Sequence, residues 1–441
     1  MKKSEYLSTL FVGIDVSARE NVICALNFEQ DRLLEFAVAN SQPGADEIAD
    51  KLSALLSSCN FTRVVIALEA TSFYGIHIAN FLSSCALLAP YNTYVYCLNP
   101  KMIANYKKSF IGMGKKDPID AFVIADFARV GRITSEPWRG SQFLALQRLT
   151  RHRLHLIECL TREKTYMLSN VFLKFSEFAT LTKNDHLFSN KYGATASAVL
   201  TDFLSNEQIA EASIEELIAF ICEKGKNRFN NPQEVASILQ AAARNSYRLD
   251  KCLYEPLTIA IASSLNCLKA FEAEIKSIDK AIEITVSGLN PSEYLCLRSI
   301  PGVGPVFASG ILAEIGSIHA FDNHSSLAKY AGIVWNENQS GDFHSEDTRM
   351  SKAGNKYLRY YLIEATGSVV RHIPEYNGFY QSFNIALIFS LKSRGLFIMR
   401  FFIHSTKVSF DSALDILPDC LFFDRSKNTL NINILISYMQ K

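Results

Sequence analysis

Four carboxylates in the first 120 residues have the types and placement for one metal-dependent reaction: Asp15 at the end of the apolar run LFVGID, Glu69 ending VVIALE, and Asp117 and Asp120 in KKDPID. Carboxylates are the ligands hard Mg²⁺ prefers. A pair of such ions can activate the attacking oxygen and stabilise the leaving oxygen of a phosphodiester, so nucleic-acid strand cleavage is the chemistry these residues point to. Each acid also has an ordinary reading. Asp15 and Glu69 can be strand-end acids facing water, and Asp117-Pro118 with Asp120 can be the N-cap, N1 and N3 of a helix. The functional reading rests on all four occurring in the right order of elements.

The elements that must position them are legible. Between residues 9 and 38 three strand-like runs, LFVGIDV, NVICALNF and RLLEFAVAN, are separated by the turn-prone SARE and EQD, which predicts an antiparallel meander. A helix-like stretch from Ala45 to Ser58 follows, then the buried strand RVVIALEA, a helix near Ile76 to Leu82, the strand TYVYCLN, and helices after Pro100 and Pro118. The order β-β-β-α-β-α-β-α is that of the ribonuclease H-like fold, in which the first strand is central and the fourth lies beside it. Asp15 and Glu69 are then neighbours, and the i, i+3 spacing of Asp117 and Asp120 puts both on one helix face.

At 441 residues the chain has room for two or three domains, and its 48% apolar content is that of a globular protein. The formal charge of +1 gives no bulk signal for nucleic acid. A local one runs through Lys101, Lys107, Lys108, Lys115 and Lys116 just before the Asp117 helix, as a phosphate-tracking strip or a solvated face. The ten cysteines form no CxxC pair or zinc spacing and read as reduced, mostly buried thiols of a cytoplasmic protein without a membrane span.

After Trp138 the pattern becomes helical. Leu146, Leu149, Leu156, Leu160 and Met167 keep a 3-4 rhythm, as do Leu268, Phe271, Ile275, Ile278 and Ile282, which suits a coiled coil or a core-facing pair within one subunit. The segment from Ser176 to Asn245 is mixed, helical and without a motif. In IPGVGP, Gly302 and Gly304 resemble the turn of a helix-hairpin-helix, where backbone N–H groups approach phosphate; a ligand-free tight turn is the more ordinary reading of a lone GVG. Ser340, followed by Gly341, sits in a polar, irregular stretch.

In combination, GIDVS, LEATSFYG, LNPKMIANYKKSF, KKDPIDAFVIADFAR, IPGVGPVFASGILAEIG and QSGDF with SKAGNKYLR resemble the DEDD-type transposases and recombinases of bridge-RNA-guided insertion sequences, relatives of the pilin-gene DNA invertase. The resemblance covers roughly residues 9 to 380. It implies a RuvC-like, Holliday-junction-resolvase-type domain over 1–137 whose four acids Asp15, Glu69, Asp117 and Asp120 bind Mg²⁺. It also implies a helical middle region over 138–290 and a mostly α-helical domain over 291–380 that carries a catalytic serine. Ser340 matches that serine, which attacks DNA and becomes covalently linked to it, with Ser351 in reserve. A homo-oligomer (dimer or tetramer) that joins one subunit's acids to another's serine, and a structured guide RNA that chooses donor and target DNA, are implied as well. Lys352, Lys356 and Arg359 fit a phosphate-holding role on the following helix, or a solvated face.

Two other readings compete. A sugar-kinase or actin-like ATPase shares GIDVS, but the second phosphate loop and adenosine motif it requires are absent from the sequence. An inactive or repurposed transposase-derived nucleic-acid-binding protein draws support from residues 381–441, where SFNIALIFSLKSRGLFIMRFFIHSTK stands in place of the Lys/His-rich helix of the family. That tail reads as a frameshift or a degraded 3′ end. Translating the same DNA in its other frames should reveal the missing basic helix; its absence from every frame would refute the frameshift.

Overall fold

The computed structural model describes residues 3–70, 73–110, 117–133, 136–181, 187–188, 190–289, 291–316, 318, 321, 323–334, 339–340, 343–344, 350–374 and 377, with backbone only at 3–4, 117, 291, 324, 339–340 and 343–344. After a short helix α1 (Lys3–Leu7), the sheet is built from β1 (Thr9–Val16), β2 (Glu20–Leu26), β3 (Arg32–Ala39), β4 (Arg63–Glu69) and β5 (Asn92–Leu98) in the order β3-β2-β1-β4-β5. β1 is antiparallel to β2 and parallel to β4, with Ile14 opposite Leu68, and β4 is parallel to β5. The meander predicted from the turns and the central placement of β1 are both present.

Period-two alternation divides the two central strands between two cores. Leu10, Val12 and Ile14 of β1 and Val64, Ile66 and Leu68 of β4 face α2 (Gln42–Ser58) and α3 (Tyr74–Ser84) in one buried cluster. Phe11 of β1 and Val65 and Ala67 of β4 face the other side, with Ile103 of α4 (Pro100–Lys107) and Ala121 to Ala125 of α5 (Asp117–Arg129). Each fully buried Val, Leu or Ile contributes roughly 1.5–3 kcal/mol, so a one-residue slip of either strand would be prohibitive. Asp15 and Glu69 continue the second face. Their position beside α5 therefore follows from register.

A second compact unit covers 148–284. It contains most of α6 (Ser141–Lys174) and α12 (Lys251–Ser287), with α7 (Ser176–Thr180), α8 (Ala194–Asp202), α9 (Asn206–Glu211), α10 (Ile214–Gly225) and α11 (Pro232–Asn245) between them. The ion pairs Arg153–Asp279 at 2.5 Å and Lys164–Glu272 at 3.8 Å set α6 antiparallel to α12. The stretch that offered no motif is a helical bundle, where Leu217, Ile221, Ala236 and Leu239 pack with Met167, Val171 and Leu265. Lys174 is buried within it and donates to the carbonyls of Leu200 (2.7 Å) and Phe203 (2.8 Å) and to Thr258 Oγ1 (2.7 Å). Burial pushes its pKa down to about 8.

The first unit also holds α13 (Pro291–Arg298), α14 (Pro305–Ile315), α15 (His324–Ala331), the two-residue strands β6 (Gln339–Ser340) and β7 (Phe343–His344), and α16 (Lys356–His372). Val303, Ala308, Ile311 and Leu327 pack around Tyr361 and Leu362 of α16. The segment leading into α6 is tied in by two consecutive residues. Trp138 N donates to Val95 O of β5 at 2.6 Å, and Arg139 Nη2 donates to Ile315 O at 2.5 Å at the end of α14.

One expectation is corrected. The nine described cysteines are all free thiols, but only Cys24 is buried, whereas Cys59, Cys252, Cys267 and Cys296 are exposed. Their scatter carried no periodicity from which burial could be read. Among the described residues no helix is long and apolar enough to cross a membrane.

A Cβ on Gly13 would overlap the backbone of Ala121 and Ala125 in α5. Gly13→Val should therefore cost about 3 kcal/mol or more in urea unfolding. Gly367→Ala, at an exposed position of α16 with open space around it, should instead stabilise by about 0.5–1 kcal/mol.

Candidate active site at the strand ends

The acidic site is assembled from three elements that meet above Gly13. Asp15 and Glu69 lie one residue beyond the last paired positions of β1 and β4, Ile14 and Leu68, so they sit side by side at neighbouring strand ends. Both are half-buried. Asp120 is in the first turn of α5, immediately before Ala121, whose backbone covers Gly13. The backbone of Asp117 begins the same helix; its side chain lies outside the described atoms.

The charges are felt across this short gap. Burial above all, and then the neighbouring charges of Asp15 and Asp120, push the Glu69 carboxyl above its ordinary range, with Lys107 pulling the other way. Desolvated carboxylates with like-charged neighbours stay ionised only at a cost, which a cation relieves. The donor set, all carboxylate oxygen, fits Mg²⁺ rather than a soft metal. Among the described residues, however, no group of three or more His, Cys, Asp or Glu is arranged to hold an ion. Asp120 is directed instead to the Lys107 ammonium, with which it is ion-paired.

Asp126, a residue the sequence reading passed over, organises the other end of α5. It is 2% exposed and accepts from Tyr106 Oη (2.7 Å), Gln30 Nε2 (2.9 Å) and Arg129 Nε (2.7 Å). Arg129 also donates to Phe28 O at 3.0 Å. One carboxylate thus ties α4, α5 and the β2–β3 turn together. Burial and the Asp126 hydrogen bond push the Tyr106 hydroxyl up to about 12. An aspartate inside the apolar run AFVIADFA was the available signal, since a buried acid requires partners.

The remaining candidates separate by environment. Lys108 is exposed and reaches Asn105 at 3.3 Å, while Lys115 and Lys116 lie outside the described residues. Gly302, at φ +93°, lets the turn approach α16, where a Cβ would come within 2.9 Å of Val369 Cα. Its glycine is required by packing. Gly304 faces open space as the N-cap of α14. The Ser340 backbone pairs with Phe343, and its hydroxyl lies outside the described atoms. Ser351 Oγ accepts from Ala353 N at 3.3 Å in a local turn. Lys352 and Lys356 are exposed, but Arg359 Nη1 is turned inward to the carbonyls of Ala331 (2.8 Å) and Lys352 (3.2 Å).

Glu69 supplies a test of the crowding. Folded Glu69 keeps its proton to higher pH than the unfolded chain does, so above the ordinary carboxylate value the folded state binds more protons and stability falls as pH rises. In chelator, Glu69→Gln should raise the melting temperature at pH 7 by about 2–4 °C, an effect limited by solvent screening, and leave it unchanged at pH 4. A variant no more stable than the parent at pH 7 would refute the crowding.

Over two spans the chain is similar to known protein families. The family model for the DEDD transposase of IS110, described as "Transposase", matches residues 12–175, and that for "Transposase IS116/IS110/IS902 family" matches residues 294–381. The transposase for insertion sequence element IS1111A of Coxiella burnetii is 26% identical over 43% of this chain and 56% of that protein. The protein of the IS117 mini-circle of Streptomyces coelicolor is 24% identical over 78% of this chain and 80% of its own length. The uncharacterized 42 kDa protein of insertion element IS900 from Mycobacterium paratuberculosis is 24% identical over 82% and 86% respectively. Among solved structures, T. thermophilus RuvC in complex with a Holliday junction substrate aligns over 30% of this chain and 99% of that chain at 13% identity with a TM-score of 0.22, a likeness too slight to argue from. The strand-end acids fall within the first matched span and the SKAGN segment within the second, so the chain carries the two domains of IS110/IS116/IS902 family transposases.

Proposed function

We propose that this transposase cuts and rejoins DNA at a composite site in which Asp15, Glu69, Asp117 and Asp120 hold Mg²⁺ and Ser340 is the nucleophile that becomes covalently joined to DNA. The observation that carries the metal reading is the mutual crowding of Asp15, Glu69 and Asp120 at the ends of two paired strands and a helix. Mg²⁺ bound there supplies the positive charge that eases nucleophilic attack at phosphorus and departure of the leaving oxygen. The chain's own part is placement. Rigid strand ends fix Asp15 and Glu69, and α5 brings Asp120 and Asp117 as a unit.

A serine hydroxyl is a poor nucleophile unless position and charge lower its barrier, which is why the acids and the serine must act together. Ser340 is preferred to Ser351, whose hydroxyl is engaged in a turn. A homo-oligomer bringing one subunit's acids to another's serine, and a structured RNA selecting donor and target DNA, rest on the motif resemblance. So does contact through the long helices α6 and α12. The second reading, an inactive or repurposed DNA-binding relic, is favoured by the apolar sequence of residues 381–441 alone.

Expression with native flanking DNA, followed by PCR across the junction of the excised circular element, separates these. The junction should form with the parent chain and fall by at least about a hundredfold in Asp120→Ala and in Ser340→Ala. A junction that survives Ser340→Ala rejects that nucleophile, and none with soluble parent protein supports the relic.

A further inference from the structure

Lys107 lies against the acidic site. It is half-buried at the end of α4, ion-paired with Asp120, and its positive charge reaches Glu69. It is not a loose surface lysine. Its neighbour Tyr106 is hydrogen-bonded to Asp126 at 2.7 Å, with its ring edge-on to Phe127 (centroids 5.3 Å apart) and Phe110 (5.4 Å). Two consecutive residues of α4 thus grip two carboxylates six positions apart on α5, and the tyrosine fixes where the ammonium can reach. Among the described residues no group of three or more acids is arranged to hold an ion while Asp120 is so paired.

We propose that Lys107 is the resident cation of the acidic site, holding Asp120 while the site is empty and yielding it to the divalent ion on loading. The inference rests on the reading that these acids bind Mg²⁺. An ammonium and a divalent ion compete for the same carboxylate, so the lysine keeps like charges together in the unloaded protein at some expense in metal affinity. Loading releases the ammonium beside the site, where a DNA phosphate is its natural next partner. Lys107 is in this sense a positioning residue whose partner changes with the state of the site.

The test uses Mn²⁺ binding to the full chain, followed by electron paramagnetic resonance of the free ion. Lys107→Met and Lys107→Gln should bind Mn²⁺ roughly three- to fivefold tighter than the parent, the span expected of a half-exposed ion pair, whereas Lys107→Arg should stay within about twofold. In chelator the two neutral variants should melt below the parent, and saturating Mn²⁺ should close that gap. A merely structural lysine would lower stability without tightening the ion. Equal or weaker Mn²⁺ binding by both neutral variants overturns the proposal alone. Absence of Mn²⁺ binding in parent and variants overturns the metal reading and this inference with it.

Discussion

The approach of α5 to β1 is the constraint on which the acidic site depends. Gly13 has no side chain to hold the helix away, and Ala121 and Ala125 are small enough to lie directly on the strand. The same face of β1 runs Phe11, Gly13, Asp15, so one strand supplies a large apolar anchor, a gap for the helix and then the carboxylate the helix must reach. A helix one side chain further out would stay folded against a larger residue, but Asp120 would stand too far from Asp15 and Glu69 to share a charge with them. Asp126 secures the arrangement from the far end of α5 by bonding α4 and the β2–β3 turn.

Such closeness of carboxylates costs stability. Carboxylates brought together at the rim of an apolar core repel and are poorly hydrated, and the raised Glu69 pKa records both effects. Hydrophobic burial in β1 and β4 outweighs this, since Leu10, Val12, Ile14, Val64, Ile66 and Leu68 are all 1% exposed or less. The acids stand at strand ends, where part of each carboxylate still meets water. One residue earlier in either strand, the same charge would point into the opposite apolar core.

How far this was legible in sequence differs by level. The sheet and its flanking helices could be read because the central strands β1 and β4 are apolar runs bounded by turns, and Asp15 and Glu69 stood out as acids closing those runs. Gly13 could not be read, since its role depends on a helix more than a hundred residues later. Lys107 was visible only as part of a basic strip; its pairing with Asp120 follows from Tyr106 docking on Asp126, a contact no spacing reveals. The bundle of residues 176–245 was opaque because its short helices bury one another, and each carries too few turns for a period to emerge. The dual role of the glycines in IPGVGP was likewise hidden. Gly302 meets Val369 across the domain, while Gly304 meets nothing.

The carboxyl-terminal domain divides its basic groups between the fold and the surface. With a formal charge of +1, long-range attraction to a polyanion is weak, and under the proposed function DNA contact falls to basic groups left available at fixed positions. The SKAGN segment is held by close backbone approach of Gly354 to Gly332 and Tyr330, and by Asn355, which caps α16 while its amide donates to buried Glu314 at 2.7 Å. Arg359 completes that framework by bonding the carbonyls of Ala331 and Lys352. One cation thus stabilises the loop so that two others, Lys352 and Lys356, remain exposed on it. The same arrangement holds at the acidic site, where Lys107 is internal and Lys108 beside it is exposed. In the observed division inward cations fix the segments that present outward ones, and under the proposed function those few outward charges would be the ones that meet DNA.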